Sequence, residues 1–276
     1  MFEQMTASAL LLAWDRGASG SQVERGLELL SLALPRYSRQ SLELISIGDR
    51  DRLLIGLRRS LFGSSVQSVD RCDSCEHLVE MDFDLAQLEI SNPTTDIRFS
   101  SEHDGHPVWW RLPNSRDLIE LDRLRRSKVK IDIGRSLLAL CLADGPGSSI
   151  EADTRSTMLS QSHEVPFADN PTNPPIEAKR QLIGDLSDEK VAEVSGLMEA
   201  ADAGADIKLS LQCDSCGHIW SRPFDILSYL WSELELFCQR MLLDVHRLAR
   251  AYGWSEREIL NLSPLRRQVY LRMVSE

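Results

Sequence analysis

Residues 71–85 read RCDSCEHLVEMDFDL, and residues 212–226 read QCDSCGHIWSRPFDI. The tetrapeptide Cys-Asp-Ser-Cys is written twice, and the echo continues beyond it. His77 and His218 each stand two positions after the second cysteine, and Phe83-Asp84 and Phe224-Asp225 each stand eight and nine positions after it. Both motifs lie between short, partly alternating runs, as strands flanking a turn do. A Cys-x-x-Cys turn between two strands is a zinc knuckle, with two sulfurs directed at one ion. Zn²⁺ takes four tetrahedral ligands, so one knuckle is half a site and two make a whole one. The pattern therefore predicts one structural zinc per chain, held by Cys72, Cys75, Cys213 and Cys216, each motif giving half of a split zinc ribbon.

Two other readings exist for the motif. Redox Cys-x-x-Cys pairs usually open a helix, whose N-terminus lowers the thiol pKa, whereas these lie between strand-like runs. Vestigial knuckles that hold no metal are the second alternative. The motifs differ at one telling position: glycine often follows the second cysteine of a knuckle, as Gly217 does, and Glu76 departs from that. His77 and His218 read as polar strand positions, because four thiolates already close a structural site. Cys141 and Cys238 sit in apolar helical stretches and read as small core residues.

Around the motifs the chain is an ordinary globular mixture of 276 residues, 42% hydrophobic and 26% charged. No apolar run approaches the length of a membrane span. The opening MFEQMTASALLLAWDRGASG lacks a basic n-region and carries Glu3 and Asp15, so the expected location is cytoplasmic. The net charge of −11 favours protein partners or plain solubility over nucleic-acid binding. Six cysteines in so long a chain are too few for a disulfide scaffold and suit metal or redox chemistry in a reducing compartment.

The periodicities predict an α+β fold: helices around a small antiparallel sheet that carries the split Cys₄ zinc-ribbon-like element, ending in a long helix and a helical hairpin. Ser21 and Glu24 have capping-box spacing, Pro35 stops the helix that follows, and further helices start near Ser38 and after Asp49, the latter ending at Gly63. These form an N-terminal helical region, 1–63. A second region, 64–143, holds the first knuckle, a hairpin turning at Asp104-Gly105, a helix capped by Ser115 and an apolar helix over IDIGRSLLALCLA. Residues 144–176, rich in Ser, Pro, Asn and Gly, read as a flexible linker. Region 177–225 carries a helix over DEKVAEVSGLMEAAD and the second knuckle. Region 226–276 opens with a long amphipathic helix whose core stripe is Leu227, Leu230, Leu234, Phe237, Met241, Val245 and Leu248. Gly253 ends it, Ser255 and Glu258 cap the next helix, and Pro264 starts the last.

No Walker sequence, G-x-G-x-x-G, H-E-x-x-H or G-x-S-x-G occurs, so nothing supports an enzyme. Trp109 and Trp110 in WWRLP could form an exposed aromatic platform, and read better as buried strand aromatics. Trp231 at the margin of the long helix's stripe, with Trp254 and Tyr270 beyond it, are three aromatics for one small terminal module. Such residues are enriched at binding hot spots, and the three are expected to contact a partner. The opposing reading packs them back on the long helix as a hydrophobic cap.

LLAWDRG, then IGDRDRLLIGLRRSLFG, then the first knuckle form one recognisable pattern, and CDSCGHIWSRPFDILSYLWSEL followed by VHRLARAYGWSEREILNLSPLRRQVYLRMV forms another. Together they resemble a family encoded among the baseplate genes of phage-tail-like contractile injection systems, similar to the baseplate hub and hub-assembly proteins of T-even phages. The resemblance implies a non-enzymatic baseplate component or assembly chaperone whose partners are other baseplate or hub proteins. The rival reading is a zinc-ribbon DNA-binding regulator that uses the helix–turn–helix-like segment at the C-terminus. That segment carries Arg257, Arg266, Arg267 and Arg272 against Glu256, Glu258 and Glu276, a poor basic surplus for a recognition helix. A redox enzyme is the remaining rival.

Overall fold

The computed structural model describes residues 5–88, 98–103, 105–127, 131–143 and 183–275. The stretch expected to be a linker, 144–176, lies outside them, as does Asp104 of the expected hairpin turn. In chain order the elements begin with α1 (Ala7–Gly17), α2 (Gln22–Ala33), α3 (Arg39–Leu44) and α4 (Ile47–Phe62). Strands β1 (Ser65–Arg71), β2 (Leu78–Asp84), β3 (Arg98–His103) and β4 (His106–Arg111) follow, then α5 (Ser115–Arg126), α6 (Ile133–Leu140) and the short β5 (Leu142–Ala143). After these come α7 (Asp188–Ala201), β6 (Lys208–Gln212), β7 (Ile219–Pro223), α8 (Ile226–Tyr252), α9 (Glu256–Leu260) and α10 (Pro264–Ser275).

The chain forms two units, one from Met1–Pro35 with Ile226–Glu276 and the other from Arg36–Asp225. The expected N-terminal helical region, 1–63, is thus divided between them. In the first unit α1 and α2 pack on α8. Thr6 caps α1, and Ser21 with Glu24 forms the full capping box of α2. Both local signals work as elementary physics requires, since each cap satisfies N–H groups that the first helical turn leaves without partners. The buried stripe of α8 is Ile226, Leu230, Trp231, Leu234, Cys238, Met241, Val245 and Leu248. Leu227 and Phe237 lie at its half-buried margins. Gly17 lets α1 approach closely: a Cβ there would stand 2.3 Å from the Trp231 ring. Gly253, at φ +71°, ends α8 in the left-handed conformation. Ser255 and Glu258 then cap α9, and Pro264 takes the first position of α10.

The second unit holds three small antiparallel sheets among the described residues: β1–β2, β3–β4–β5 and β6–β7. This corrects the single sheet expected from sequence. Each knuckle is its own two-stranded hairpin, and no strand ladder joins the two. Gly105 sits at φ +77° in the turn that sets His103 opposite His106. Trp110 is fully buried at the centre of a core with Leu112, Leu138, Ala139, Cys141, Ile183, Leu186, Val194 and Met198. Its indole N–H donates to the Ser101 hydroxyl at 2.8 Å, so the buried polar atom is satisfied.

Two helix starts are displaced from their expected places. The cap of α5 is Asn114, in a reciprocal box with Asp117, and Ser115 is the first helical residue. Asp117 also takes a two-toothed pair from Arg111, at 2.6 and 2.7 Å, which ties the helix to β4. Helix α4 starts at Ile47 under a Ser46 cap, which places Asp49 inside its first turn. The apolar helix α6 ends at Leu140, because Cys141 turns the chain into β5.

Candidate metal centre

Strands β1 and β2 pair from Ser65↔Asp84 to Arg71↔Leu78, and β6 and β7 pair from Lys208↔Pro223 to Gln212↔Ile219. Each hairpin therefore leaves the same six-residue loop, 72–77 and 213–218. The backbone closes both loops identically. The N–H of Cys72 donates to His77 O and that of Glu76 to Cys72 O, while Cys213 N–H donates to His218 O and Gly217 N–H to Cys213 O, all at 2.9 Å. The fifth loop residue is left-handed in both: Glu76 at φ +59° and Gly217 at φ +73°. The turn demands that conformation whichever residue supplies it, and Glu76 is the only non-glycine with positive φ among the described residues.

The two loops bring four sulfurs together. The Sγ atoms of Cys72, Cys75, Cys213 and Cys216 all lie within 4.8 Å of one another. Cys72 Sγ is 3.7 Å from Cys216 Sγ, and Cys75 Sγ is 3.6 Å from Cys213 Sγ. These are not disulfide distances, and all four cysteines are free. A tetrahedral ion with sulfurs at about 2.3 Å separates them by about 3.8 Å, so the cross-knuckle pairs fit such an ion. The first cysteine of each loop faces the second of the other, as a local two-fold relation produces. Phe83 and Phe224, equivalent residues of the two motifs, meet edge to face at 5.4 Å.

Cys72 and Cys213 are buried and Cys75 and Cys216 are exposed, so the cluster has an inner and an outer side. Under the inner side lie Val79, Leu211 and Trp220, with Met81 and Leu209 against them. A second contact binds the hairpins from one side only. Asp70 of β1 accepts from the Trp220 indole N–H at 3.0 Å and from Arg222 Nε at 2.7 Å, and Arg222 also donates to Asp73. The equivalent positions in the opposite motif are Leu211, Val79 and Met81, which cannot repeat this. Sequence reading missed the Asp70–Trp220–Arg222 clamp because the repeat, its main signal, does not include it. Strand alternation was the available clue, since Asp70 lies one pleat before Cys72.

Hydrogen bonding within the cluster shifts two of its thiols in opposite directions. The Cys75 thiol is pushed up to about 12: the His77 backbone N–H pulls it down, but the sulfurs of Cys216, Cys213 and Cys72, with partial desolvation, outweigh that pull. Cys213 is lowered to about 7, where desolvation opposes but the N–H groups of Cys216 and Ser215 and the facing thiols win. A bound cation supplies the charge that four adjacent thiolates need. The ligand set found among the described residues contains cysteines alone, and His77 and His218 are exposed outside it. Four thiolates around one ion would leave no open position, which is the form of a structural site.

The three aromatics expected at a partner surface are placed differently from one another. Trp231 is only 7% exposed, a core residue of the first unit with the Arg25 guanidinium 4.8 Å from its ring centre. The residue fills the space that Gly17 leaves open. Trp254 and Tyr270 are half-buried. Trp254 stacks on Tyr252 at 4.7 Å, and Tyr270 meets Trp254 edge-on at 4.9 Å. Both pack on the cluster of Val245, Leu248 and Ile259. Cys238 is buried with Sγ 3.9 Å from Leu10 O, and Cys141 is buried in the Trp110 core.

Among the described residues no helix is long and apolar enough to cross a membrane. No curated protein and no solved structure matches the chain. Among known families, one described as T4 bacteriophage base plate protein matches residues 7–231. That stretch runs from the first residue of α1 through both knuckles to Trp231, and stops short of the AYGWSEREIL segment. With most of its length matched, the chain belongs to the T4 bacteriophage base plate protein family.

Proposed function

We propose that the chain is a non-enzymatic structural or assembly protein of a phage-tail-like contractile injection system, acting in baseplate hub assembly through protein–protein contacts in the cytoplasm. The family match over residues 7–231 carries this reading. The Cys₄ cluster supports it as a scaffold element. Four thiolates at tetrahedral spacing suit Zn²⁺, with Cys72, Cys75, Cys213 and Cys216 as ligands and one ion per chain. The ion would contribute folding free energy by joining hairpins that no strand ladder connects.

The DNA-binding alternative gains nothing from the terminal helices. Arg267 is buried, so one of the arginines that a recognition helix needs faces the interior. The test is co-expression of the tagged chain with the other baseplate proteins of its own system, followed by affinity purification and mass spectrometry. Recovery in a stoichiometric baseplate subassembly is the expected result. A chain that runs alone while the other proteins assemble normally contradicts the proposal. Its presence in finished particles would mark a permanent component, and its absence there an assembly chaperone.

A further inference from the structure

The terminal helix α10 is apolar on two sides. Tyr270, Leu271 and Val274 pack inward on the Val245–Leu248–Ile259 cluster, and Arg267 is buried with them. On the other side Leu265, Val269 and Met273 are 72, 41 and 58% exposed. Their spacing of four residues aligns them in one stripe over two helical turns, about 12 Å long. Exposed Arg266 stands beside the first of these residues and exposed Arg272 beside the last. No Asp or Glu occurs between Pro264 and Ser275. Neither arginine has an ion-pair partner among the described residues.

The basic character is wider than this helix. Residues 239–276 carry seven arginines against Asp244, Glu256, Glu258 and Glu276, in a chain whose net charge is −11. Arg240, Arg247 and Arg250 are exposed on α8 along with Leu243. The C-terminal segment of an acidic chain is therefore positive and apolar at once.

We propose that the Leu265–Val269–Met273 stripe is a docking surface for an amphipathic helix on another baseplate protein, one whose apolar seam is edged by carboxylates. This rests on the assembly role proposed above and gives it a place and a partner chemistry. Charge decides between possible occupants. A second copy joined symmetrically through the same stripe would set Arg266 and Arg272 against their own kind, which is unfavourable at short range. Nucleic acid would satisfy the arginines but offer the three apolar side chains charged phosphate in place of an apolar partner. A helix with an acidic edge satisfies both: its apolar seam covers the stripe and its carboxylates meet the arginines.

The test uses the full chain and three labelled probes: a helical peptide with a leucine seam edged by glutamates, the same peptide edged by lysines, and a short DNA duplex. The glutamate peptide should bind roughly tenfold or more tighter than the lysine peptide, and the Arg266→Glu/Arg272→Glu variant should reverse that order. Leu265→Asp and Met273→Asp should each weaken the glutamate peptide by roughly tenfold. Melting temperatures should barely move, since all four side chains are exposed. Equal binding of both peptides overturns the proposal, as does DNA binding tighter than either. A dimer dissolved by Leu265→Asp overturns it in favour of a second copy. The same variants in the baseplate co-purification separate the two claims. Undiminished recovery of Leu265→Asp with the subassembly sinks the docking surface and leaves the assembly role. Failure of the unsubstituted chain to co-purify sinks the assembly role, whatever the peptides do.

Discussion

Asp70 Oδ2 lies 3.0 Å from the indole nitrogen of Trp220, a hydrogen bond between two hairpins that share no ladder. It stands directly behind the sulfur cluster, two residues before Cys72. With the Arg222 pair at 2.7 Å, it makes Asp70 the main polar tie between the knuckles. Asp70→Ala should lower stability by about 1–2 kcal/mol, because it leaves the indole N–H of buried Trp220 without an acceptor and the guanidinium without its nearest charge. Urea denaturation of metal-loaded protein measures this. A change within error would reduce the clamp to a surface ornament.

The same carboxyl sets a pH dependence. The Trp220 N–H first, opposed by the penalty of burial and then aided by the Arg222 pair and the Arg71 backbone N–H, holds Asp70 below its ordinary range. A carboxyl lowered in the folded state adds stability that is fully present above its unfolded value of about 3.9. That stability is lost as pH falls through the lower folded value. Asp70→Asn should therefore flatten the acid limb of the stability curve below about pH 4 and leave the slope between pH 6 and 8 unchanged. An unaltered acid limb would show that the carboxyl is not shifted.

The left-handed positions give a reciprocal prediction. An added Cβ at Gly217 meets nothing within 4 Å, so only its φ of +73° penalises a side chain there. Gly217→Ala should cost about 1 kcal/mol. Glu76→Gly should stabilise by about 0.5 kcal/mol, the relief of the left-handed conformation exceeding the added chain entropy. Thermal melts of the two variants should shift in opposite directions. Shifts of the same sign would mean that the loops are not equivalent.

Trp254 makes the prediction on which the sequence alone was divided. Its stacking on Tyr252 and edge-on contact with Tyr270 place it in the cap over Val245, Leu248 and Ile259. Trp254→Ala should lower stability by about 2 kcal/mol, less than a fully buried tryptophan would cost. Calorimetry of the variant checks this, and an unchanged melting temperature would return Trp254 to the surface.

Much of this was legible in the residues. Caps and stops are local devices, so Ser21 with Glu24, Gly63, Gly253 and Ser255 with Glu258 mark helix ends as the structure has them. The knuckles were legible because they are repeated, and a repeat is a signal that crosses any distance in sequence. The separation into three sheets was not, since alternation identifies a strand without naming its neighbour. Burial of Trp231 was hidden for a related reason. A helical stripe has a width that spacing alone leaves open, and the space for the indole comes from Gly17, far away in the chain. The Asp70 clamp is an asymmetric addition to a symmetric motif, so reading the symmetry passed over it.

If one ion serves both knuckles, their cysteines act as a unit. Cys72→Ser and Cys213→Ser should then lower the melting temperature by similar amounts. The double variant should cost little more than either alone, since each removes the same ion. Additive losses would describe two independent hairpins.

The most direct test is the metal content of protein purified without added metal and dialysed against metal-free buffer. Elemental analysis should find about one zinc per chain, as four thiolates at tetrahedral spacing require, and Cys72→Ser and Cys213→Ser should each abolish it. A well-folded, monodisperse preparation that contains no metal would contradict the shared centre.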